Sequence, residues 1–251
     1  MEQRSNNLKS KTIVGLIFLL AIIAGGIFLL TRPDSTQTEI PSSFERTGTI
    51  EPESELESPS VAIPPTLQLT VPFTAQAPTG NWDELHNEAC EEASIIMAWA
   101  YFNNITSLPP AVVEREIDKL TEWQQTNYGY YLSITTPETA RMAREVYGLK
   151  TEIVNMSESV IKQALTEDKL VILPAQGQLL NNPNFTPPGP PYHMLVITGW
   201  DNTHFITNDP GTRNGSKYRY TYETLYEATG NYSHSTKLVN TSEKQIIIIS
   251  K

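Results

Sequence analysis

The chain has 251 residues, of which 39% are hydrophobic, so it is long and apolar enough to form a folded domain with a sizeable core. The formal net charge of −10 argues against a nucleic-acid partner, because phosphate binding requires clustered lysine and arginine. A single cysteine excludes a disulfide bond within the chain and leaves one thiol whose role must be explained.

Residues 12–31 form an uncharged and strongly apolar segment. A bilayer-spanning helix needs about 20 such residues. Lysine and arginine are more frequent in residues 1–11 than immediately after the segment, where Arg32 is the only basic residue nearby. This bias predicts a cytoplasmic N-terminus at residues 1–11 and an extracytoplasmic location for the rest of the chain.

A cleaved signal peptide is the alternative interpretation of the same segment. Small residues over 21–26 resemble a cleavage region. Apolar residues resume at Ile27 and continue to Leu30, which is longer than an ordinary signal-peptide core. We therefore expect a single-pass membrane anchor over residues 12–31.

Residues 32–66 are dominated by Pro, Ser, Thr and Glu and have no apolar periodicity. Such a segment cannot bury enough surface to fold, so it is predicted to be a disordered tether. From Leu67 the composition becomes mixed apolar and aromatic and stays so to the C-terminus. Residues 67–251 are therefore predicted to form one domain.

The first half of this domain is predicted to be mainly helical. After a strand at Leu67–Phe73, apolar spacing indicates a helix from Cys90 to about Asn103. Pro109 and Pro110 open a second helix. Thr136 is predicted to cap a third, which ends at Gly148.

The second half is predicted to be mainly strands. A helix over 157–166 and a short helix over 222–228 interrupt strands at 150–154, 170–174, 192–199, 204–208, 218–221 and 244–250. Helices followed by antiparallel strands predict an α+β fold.

Cys90 lies at the predicted start of the first long helix. Free N–H groups and a partial positive charge at a helix N-terminus stabilise a thiolate over a thiol. A nucleophilic role is one interpretation. The other is a small buried hydrophobic residue, since free cysteine is among the most buried residue types.

A catalytic thiol needs a base, and the base needs an orienting group. If Asp201 is the centre of the turn between the strands at 192–199 and 204–208, His193 lies opposite Asp209. Opposed side chains are close enough for an imidazole–carboxylate hydrogen bond, whereas Asn208 points to the other face. A one-residue slip would break this pairing. The alternatives are an ordinary strand histidine and a turn aspartate.

The other three histidines are weaker candidates for the base. Nothing near His86 in the sequence supplies an orienting group, His204 is expected to pack or meet solvent, and His234 lies in a polar loop and is expected to be solvated. No metal-ligand spacing is present, so no cofactor is expected.

Several motifs together resemble one family. They are VPFTAQ at 71–76, Cys90 at a helix start, YHMLVITGWD at 192–201 and NDP at 208–210. In order and spacing they resemble the C39-like cysteine peptidases, papain-like relatives of the bacteriocin leader-processing peptidases. The resemblance covers about residues 67–250 and implies a papain-like fold, with an N-terminal helical part packed on an antiparallel sheet.

The resemblance also implies roles for four residues. Cys90 would be the nucleophile, His193 the general base and Asp209 the residue that orients His193. Gln76 would donate its side-chain amide to an oxyanion hole, together with the backbone N–H of Cys90. One such donor contributes about 2.7–4 kcal/mol to catalysis.

Glu91 and Glu92 follow Cys90 where the family often has a CGP-type sequence. At the first turn they favour the helix, but a carboxylate beside a thiolate disfavours ionisation of the thiol. The sequence leaves open whether they point to solvent or toward Cys90.

The Pro- and Asn-rich loop over 181–191 runs directly into His193. It is expected to form one wall of a cleft, with Phe185 and Tyr192 as candidate substrate contacts. A plain surface connection is the alternative. The four tryptophans are expected in the core rather than in a binding site.

These observations predict a membrane-anchored, extracytoplasmic cysteine peptidase, in keeping with a bacterial envelope, that acts on a peptide or protein substrate through an acyl-enzyme. An acyl transferase or amidase on the same residues is a close alternative. A catalytically weak or inactive module that binds peptide or cell wall is an alternative of a different class.

Overall fold

The computed structural model describes residues 62–251. The predicted anchor over residues 12–31 and all but the end of the predicted tether lie outside the described residues and stay predictions. Within residues 62–251, no helix is both long enough and apolar enough to cross a membrane.

Helices are concentrated before residue 167 of the described region and strands after residue 149. The helices are α1 (Glu84–Asn87), α2 (Cys90–Phe102), α3 (Pro110–Tyr128), α4 (Thr136–Tyr147), α5 (Glu158–Thr166) and α6 (Tyr222–Ala228), with a 3-10 turn at Gly177–Leu180. The strands are β1 (Leu67–Gln68), β2 (Lys150–Asn155), β3 (Leu170–Ala175), β4 (His193–Trp200), β5 (Phe205–Asn208), β6 (Tyr218–Tyr220), β7 (Asn231–Ser233), β8 (Leu238–Asn240) and β9 (Gln245–Ser250).

In the described region the main sheet has seven strands, in the order β2-β9-β3-β4-β5-β6, with β1 also paired to β4. All its pairs are antiparallel, and β7 and β8 form a separate small sheet. The mixed helices and antiparallel strands confirm the predicted α+β class.

The core lies between the centre of this sheet and the helices. Every residue of β3 and β4 is buried, because helices cover the sheet there. Helix α2 contacts β4 and is buried on nearly all sides, with Ile95 and Ile96 fully enclosed. A helix that is apolar all round belongs inside a domain. Because Cys90 is the first residue of α2, it lies at the end of a helix that packs on β4, and β4 starts at His193.

Two predicted boundaries were wrong, and several short elements were missed. The first strand ends at Gln68 rather than Phe73, because only Leu67 and Gln68 pair with β4. Thr135, not Thr136, caps α4 through a reciprocal capping box with Glu138. Short elements such as α1, β7 and β8 were not predicted, since they are too short to show periodicity.

Candidate active site

The hairpin of β4 and β5 has a different register from the predicted one. Ile197 pairs with Thr207 rather than Phe205, and a bulge follows between Ile197 and Gly199. The predicted pairing of His193 with Asp209 as directly opposed strand residues is therefore wrong by two positions. Because side chains alternate with a period of two, this shift keeps the residues on the His193 side of the bulge on their predicted faces.

His193 and Asp209 nevertheless meet at the end of the hairpin. His193 is the first residue of β4, and Asp209 directly follows β5. His193 Nε2 lies 2.7 Å from Asp209 Oδ1, and both side chains are almost completely buried. The carboxylate thus fixes the imidazole ring and leaves Nδ1 as the nitrogen that can exchange a proton.

Asp209 is saturated with hydrogen-bond donors. Its Oδ1 also accepts from the backbone N–H of Gly211 at 2.9 Å, and its Oδ2 accepts from Tyr220 Oη at 2.6 Å and Asn182 Nδ2 at 3.2 Å. Burial alone would raise the pKa of Asp209, but the charge and hydrogen bond of His193, with the Tyr220 and Gly211 donors, outweigh it. The pKa of Asp209 is lowered, which favours the ionised form.

Sequence reasoning missed three residues of this site. Tyr220 and Asn182 come from a short strand and a loop, and no local pattern linked either of them to Asp209. Gly211 has steric importance: a Cβ there would lie 2.8 Å from His193 Cε1 and 2.8 Å from Phe185 Cε1. Its place in the turn sequence after Asp209 was the only available signal.

The Cys90 thiol lies at the N-terminus of α2 and is only 4% exposed. Sγ donates to Glu91 Oε2 at 3.0 Å. Among residues 62–251, the side-chain partner of Cys90 is therefore Glu91, and no hydrogen bond joins the thiol to His193.

The pKa of Cys90 is raised well above its ordinary value. Burial is the largest cause, followed by the charge and hydrogen bond of Glu91 and the charge of Glu92. The Met194 N–H acts in the opposite direction. The lowered pKa expected from the helix N-terminus is therefore wrong for this arrangement, because desolvation and a carboxylate outweigh it.

Both glutamates that follow Cys90 are buried, which settles the orientation that the sequence left open. Glu91 Oε1 accepts from the backbone N–H of Ile134 at 2.9 Å, and burial raises the pKa of Glu91 to about 7. Glu92 accepts from Gln124 Nε2, and burial and the charge of Glu91 raise its pKa. Its Oε2 has no hydrogen-bond partner among the described residues.

Gln76 lies between the two halves of the site. Its Nε2 donates to the backbone carbonyls of His86 at 2.8 Å and Asn87 at 3.0 Å, and its backbone N–H donates to Pro210 O at 2.9 Å. Gln76 thus ties the turn before Cys90 to the turn after Asp209. To donate to an oxyanion, the Gln76 amide would have to break one of these two hydrogen bonds to backbone carbonyls.

His86 is not the unsupported histidine that the sequence suggested. Its Nδ1 lies 2.7 Å from Asp83 Oδ1, and its Nε2 lies 2.7 Å from Glu114 Oε2. Burial lowers the pKa of His86, but the hydrogen bonds to Glu114 and Asp83 outweigh it, and the pKa is raised. His86 therefore clamps α1 to α3.

The expected environment of His234 was also wrong. Its Nε2 lies 2.9 Å from Tyr130 Oη and 2.8 Å from Glu138 Oε2, so the ring is partly buried and bonded rather than solvated. His204 is partly exposed and interacts with Thr203, in line with the expectation for that residue.

A cavity of about 520 Å³ opens beside His193. The loop over 181–191 lines one side, and Phe185 packs edge-on against the His193 ring at 5.3 Å between centroids. The other lining residues are Gln76, Trp82, Asn87 and Gly211–Asn214. Trp82 is 39% exposed, so its predicted core position is wrong, whereas Trp200 is fully buried.

A second cavity of about 490 Å³ shares Asn87 and Pro190 with the first. Tyr192 lines it and donates its hydroxyl to Ile134 O at 2.9 Å. Phe185 and Tyr192 thus line neighbouring cavities on the two sides of Pro190. Their contact with substrate stays a prediction.

Comparison with known proteins identifies the family. The model of the Peptidase_C39 like family matches residues 68–237, which is most of the described domain. The chain belongs to this family. The predicted resemblance to C39-like peptidases is confirmed.

A solved structure of this C39-like type supports the fold assignment. A Bacillus anthracis protein described as a C39-like peptidase superposes with a TM-score of 0.50 at 16% sequence identity. The match covers 74% of this chain and 98% of that protein. No curated protein matches the chain.

Proposed function

We propose that this C39-like protein is a cysteine peptidase that hydrolyses peptide bonds through an acyl-enzyme. Cys90 is the nucleophile, His193 the general base and Asp209 the group that orients His193. The predicted anchor at residues 12–31 would hold the peptidase domain on the outer side of a cell membrane. Phe185 and Tyr192 would contact the peptide or protein substrate.

The observation that carries the proposal is the buried His193–Asp209 pair at the edge of the 520 Å³ cavity. Four donors hold the Asp209 carboxylate, so the imidazole has a fixed orientation and tautomer. Cys90 begins α2, which packs on β4, and His193 begins β4. These positions support the assignment of nucleophile, base and orienting group to one site.

The chemistry follows from these positions. His193 Nδ1 takes the thiol proton as Cys90 Sγ bonds to the scissile carbonyl carbon. The Cys90 backbone N–H, at a helix start where such groups lack an intrahelical acceptor, stabilises the oxyanion, and Gln76 adds a second donor once it releases a carbonyl. The imidazolium protonates the leaving amine as the C–N bond breaks. Water, deprotonated by His193, then hydrolyses the thioester and returns the thiol.

One observation favours a second candidate, a peptide- or cell-wall-binding module with weak or no activity. Cys90 is desolvated and bonded to Glu91, and both effects keep it in the thiol form. A module of this kind would use the same two cavities for binding and would not need a reactive thiol.

The discriminating experiment is cleavage of a peptide library by the full chain, with products identified by mass spectrometry. We expect cleavage that C90A and H193A both abolish. C90A should unfold close to wild type, whereas H193A should keep the circular dichroism of the folded chain but unfold at a lower temperature, because it leaves the buried Asp209 carboxylate without its charged partner. H204Q, at a partly exposed loop histidine, is the matched control and should cleave normally. Cleavage retained in C90A would refute the nucleophile assignment, and peptide binding without any cleavage would favour the binding module.

A further inference from the structure

The described side chains that line the cavity beside His193 include cationic groups but no acidic ones. Among the described residues that line it, none is acidic, and only two have side chains that can be cationic, His193 and Arg213. His193 is buried and held by Asp209, whereas Arg213 is exposed. The net charge of the whole chain is −10, so a cavity without carboxylates departs from the general character of the molecule.

Arg213 is also exceptional among the arginines between residues 62 and 251. Each of the other four binds an oxygen of the protein: Arg115 binds Ala111 O, Arg141 Glu145, Arg144 Thr151 and Arg219 Asp201. Within the described residues, no hydrogen bond or ion pair involves the guanidinium of Arg213. Its donors therefore remain available to a ligand in the cavity.

The backbone that carries Arg213 is fixed. Asn214 on its C-terminal side donates from its backbone N–H to Thr212 Oγ1 at 3.2 Å and from Nδ2 to Asn184 Oδ1 at 2.9 Å. The second bond joins this loop to the 181–191 loop across the cavity. Arg213 thus extends from a fixed loop, two residues after Gly211, where an added Cβ would lie 2.8 Å from His193 Cε1.

We propose that Arg213 binds a carboxylate of the substrate and selects peptides that carry one near the cleaved bond. A guanidinium presents paired donors that match the two oxygens of a carboxylate. The absence of acidic residues from the described lining leaves no competing charge inside the cavity. The inference rests on the proposed function, because His193 marks the reacting end of the cavity.

Two sources could supply this carboxylate: an acidic side chain or the free C-terminus of a peptide. The test uses three versions of one cleaved peptide and the full chain. One has an internal Glu and an amidated C-terminus, one has Gln and a free C-terminus, and one has Gln and an amidated C-terminus. We measure kcat/KM for cleavage and, with C90A, the Kd by calorimetry.

The wild type should prefer at least one carboxylate-bearing peptide over the neutral peptide by about tenfold, as expected for one charge-assisted pair. R213Q should remove this preference, and R213E should reverse it toward a Lys-containing peptide. K217Q, at an exposed lysine of the same loop outside the cavity lining, should behave as wild type. Which peptide is preferred identifies the source of the carboxylate.

Equal values for the three peptides, or a preference that survives R213Q, would overturn the proposal. The binding measurement separates this failure from failure of the proposed function. If the wild type cleaves no peptide in the series or the library but C90A binds the acidic peptide in an Arg213-dependent manner, the peptidase assignment fails and the carboxylate site stands.

Discussion

At the scale of single residues, Glu91 is the side chain that acts most directly on the buried Cys90 thiol. Its carboxylate is buried, accepts from Ile134 N–H through one oxygen and from Cys90 Sγ through the other. A negative charge at this distance opposes a second negative charge on sulfur. Because the pKa of Glu91 is raised to about 7, this opposition is strongest when the pH is above that value.

We predict that E91Q makes Cys90 more reactive. Glutamine keeps an oxygen for Ile134 N–H but removes the charge beside the thiol. If the Cys90 pKa falls by about one unit, the thiolate fraction at neutral pH rises about tenfold. The rate of iodoacetamide modification, followed by mass spectrometry, measures this change.

E92Q is the matched control, since it changes an equally buried carboxyl group that accepts a hydrogen bond from Gln124 rather than from Cys90. Its effect should be smaller than that of E91Q. A slower reaction in E91Q would contradict the prediction and would mean that Glu91 itself accepts the thiol proton.

Tyr220 is a positioning residue for Asp209, which in turn holds His193. We predict that Y220F lowers the free energy of unfolding by about 1.5–3 kcal/mol, the usual contribution of a hydrogen bond to a charged group. It should also slow cleavage, because Asp209 loses one of its four donors. Urea unfolding and kcat/KM measure the two effects.

Y218F is the control, because within the described region no hydrogen bond involves the hydroxyl of Tyr218. An unfolding free energy equal to wild type in Y220F would show that the Tyr220–Asp209 bond contributes nothing.

The pH dependence of the free energy of unfolding is a second check on Asp209. Since the folded pKa of Asp209 is lowered, its contribution is complete above about pH 4 and is lost as pH falls through the folded value.

At the scale of elements, the clamp between α1 and α3 is the feature with the clearest pH dependence. His86 of α1 bonds to Glu114 of α3 and to Asp83, which also caps α1. The folded pKa of His86 is raised, so its protonated form is favoured by folding. The resulting stability is fully present below the unfolded value of about 6.5 and is lost as pH rises through the folded value.

We therefore predict that H86Q lowers the thermal unfolding midpoint more in mildly acidic than in alkaline solution. The difference between wild type and H86Q should shrink as the pH rises. H204Q, at a partly exposed loop histidine, is the control and should give a small difference with little dependence on pH. A loss in H86Q that is the same at every pH would contradict a charged clamp.

The same elements indicate how far the sequence alone could predict the structure. Strand β4 and helix α2 were predictable, because their apolar patterns are long, and β5 was predictable from the polar turn that precedes it. The register of β4 and β5 was not, since it depends on a bulge after Ile197 that leaves no mark in the sequence. The Glu114 partner of His86 was not predictable either, because it comes from a different helix.

At the scale of the whole molecule, the proposed site joins a helical half that carries Cys90 to a sheet that carries His193 and Asp209. Gln76 links the halves through the backbone of His86, Asn87 and Pro210. Residues brought together in this way are far apart in sequence. The order and spacing of the motifs identified these residues as candidates, but their hydrogen bonds could not be predicted from the sequence.

The predicted orientation in the membrane is also tested at this scale. With a tag after Lys251, we expect the full chain in the membrane fraction of bacterial cells and the tag accessible to an impermeant reagent from outside. A chain without residues 12–31 should leave the membrane fraction. A soluble protein whose N-terminus lies near residue 26 would instead support the cleaved signal peptide.

The most direct test of the central claim is the rate of Cys90 alkylation as a function of pH in the wild type and in H193A. If Cys90 and His193 act as nucleophile and base, the wild type reacts faster than H193A at every pH below the pKa of the Cys90 thiol. Because burial and Glu91 raise that pKa, the two proteins converge only in strongly alkaline solution. Equal rates at every pH would contradict the account, because His193 would then have no influence on the thiol.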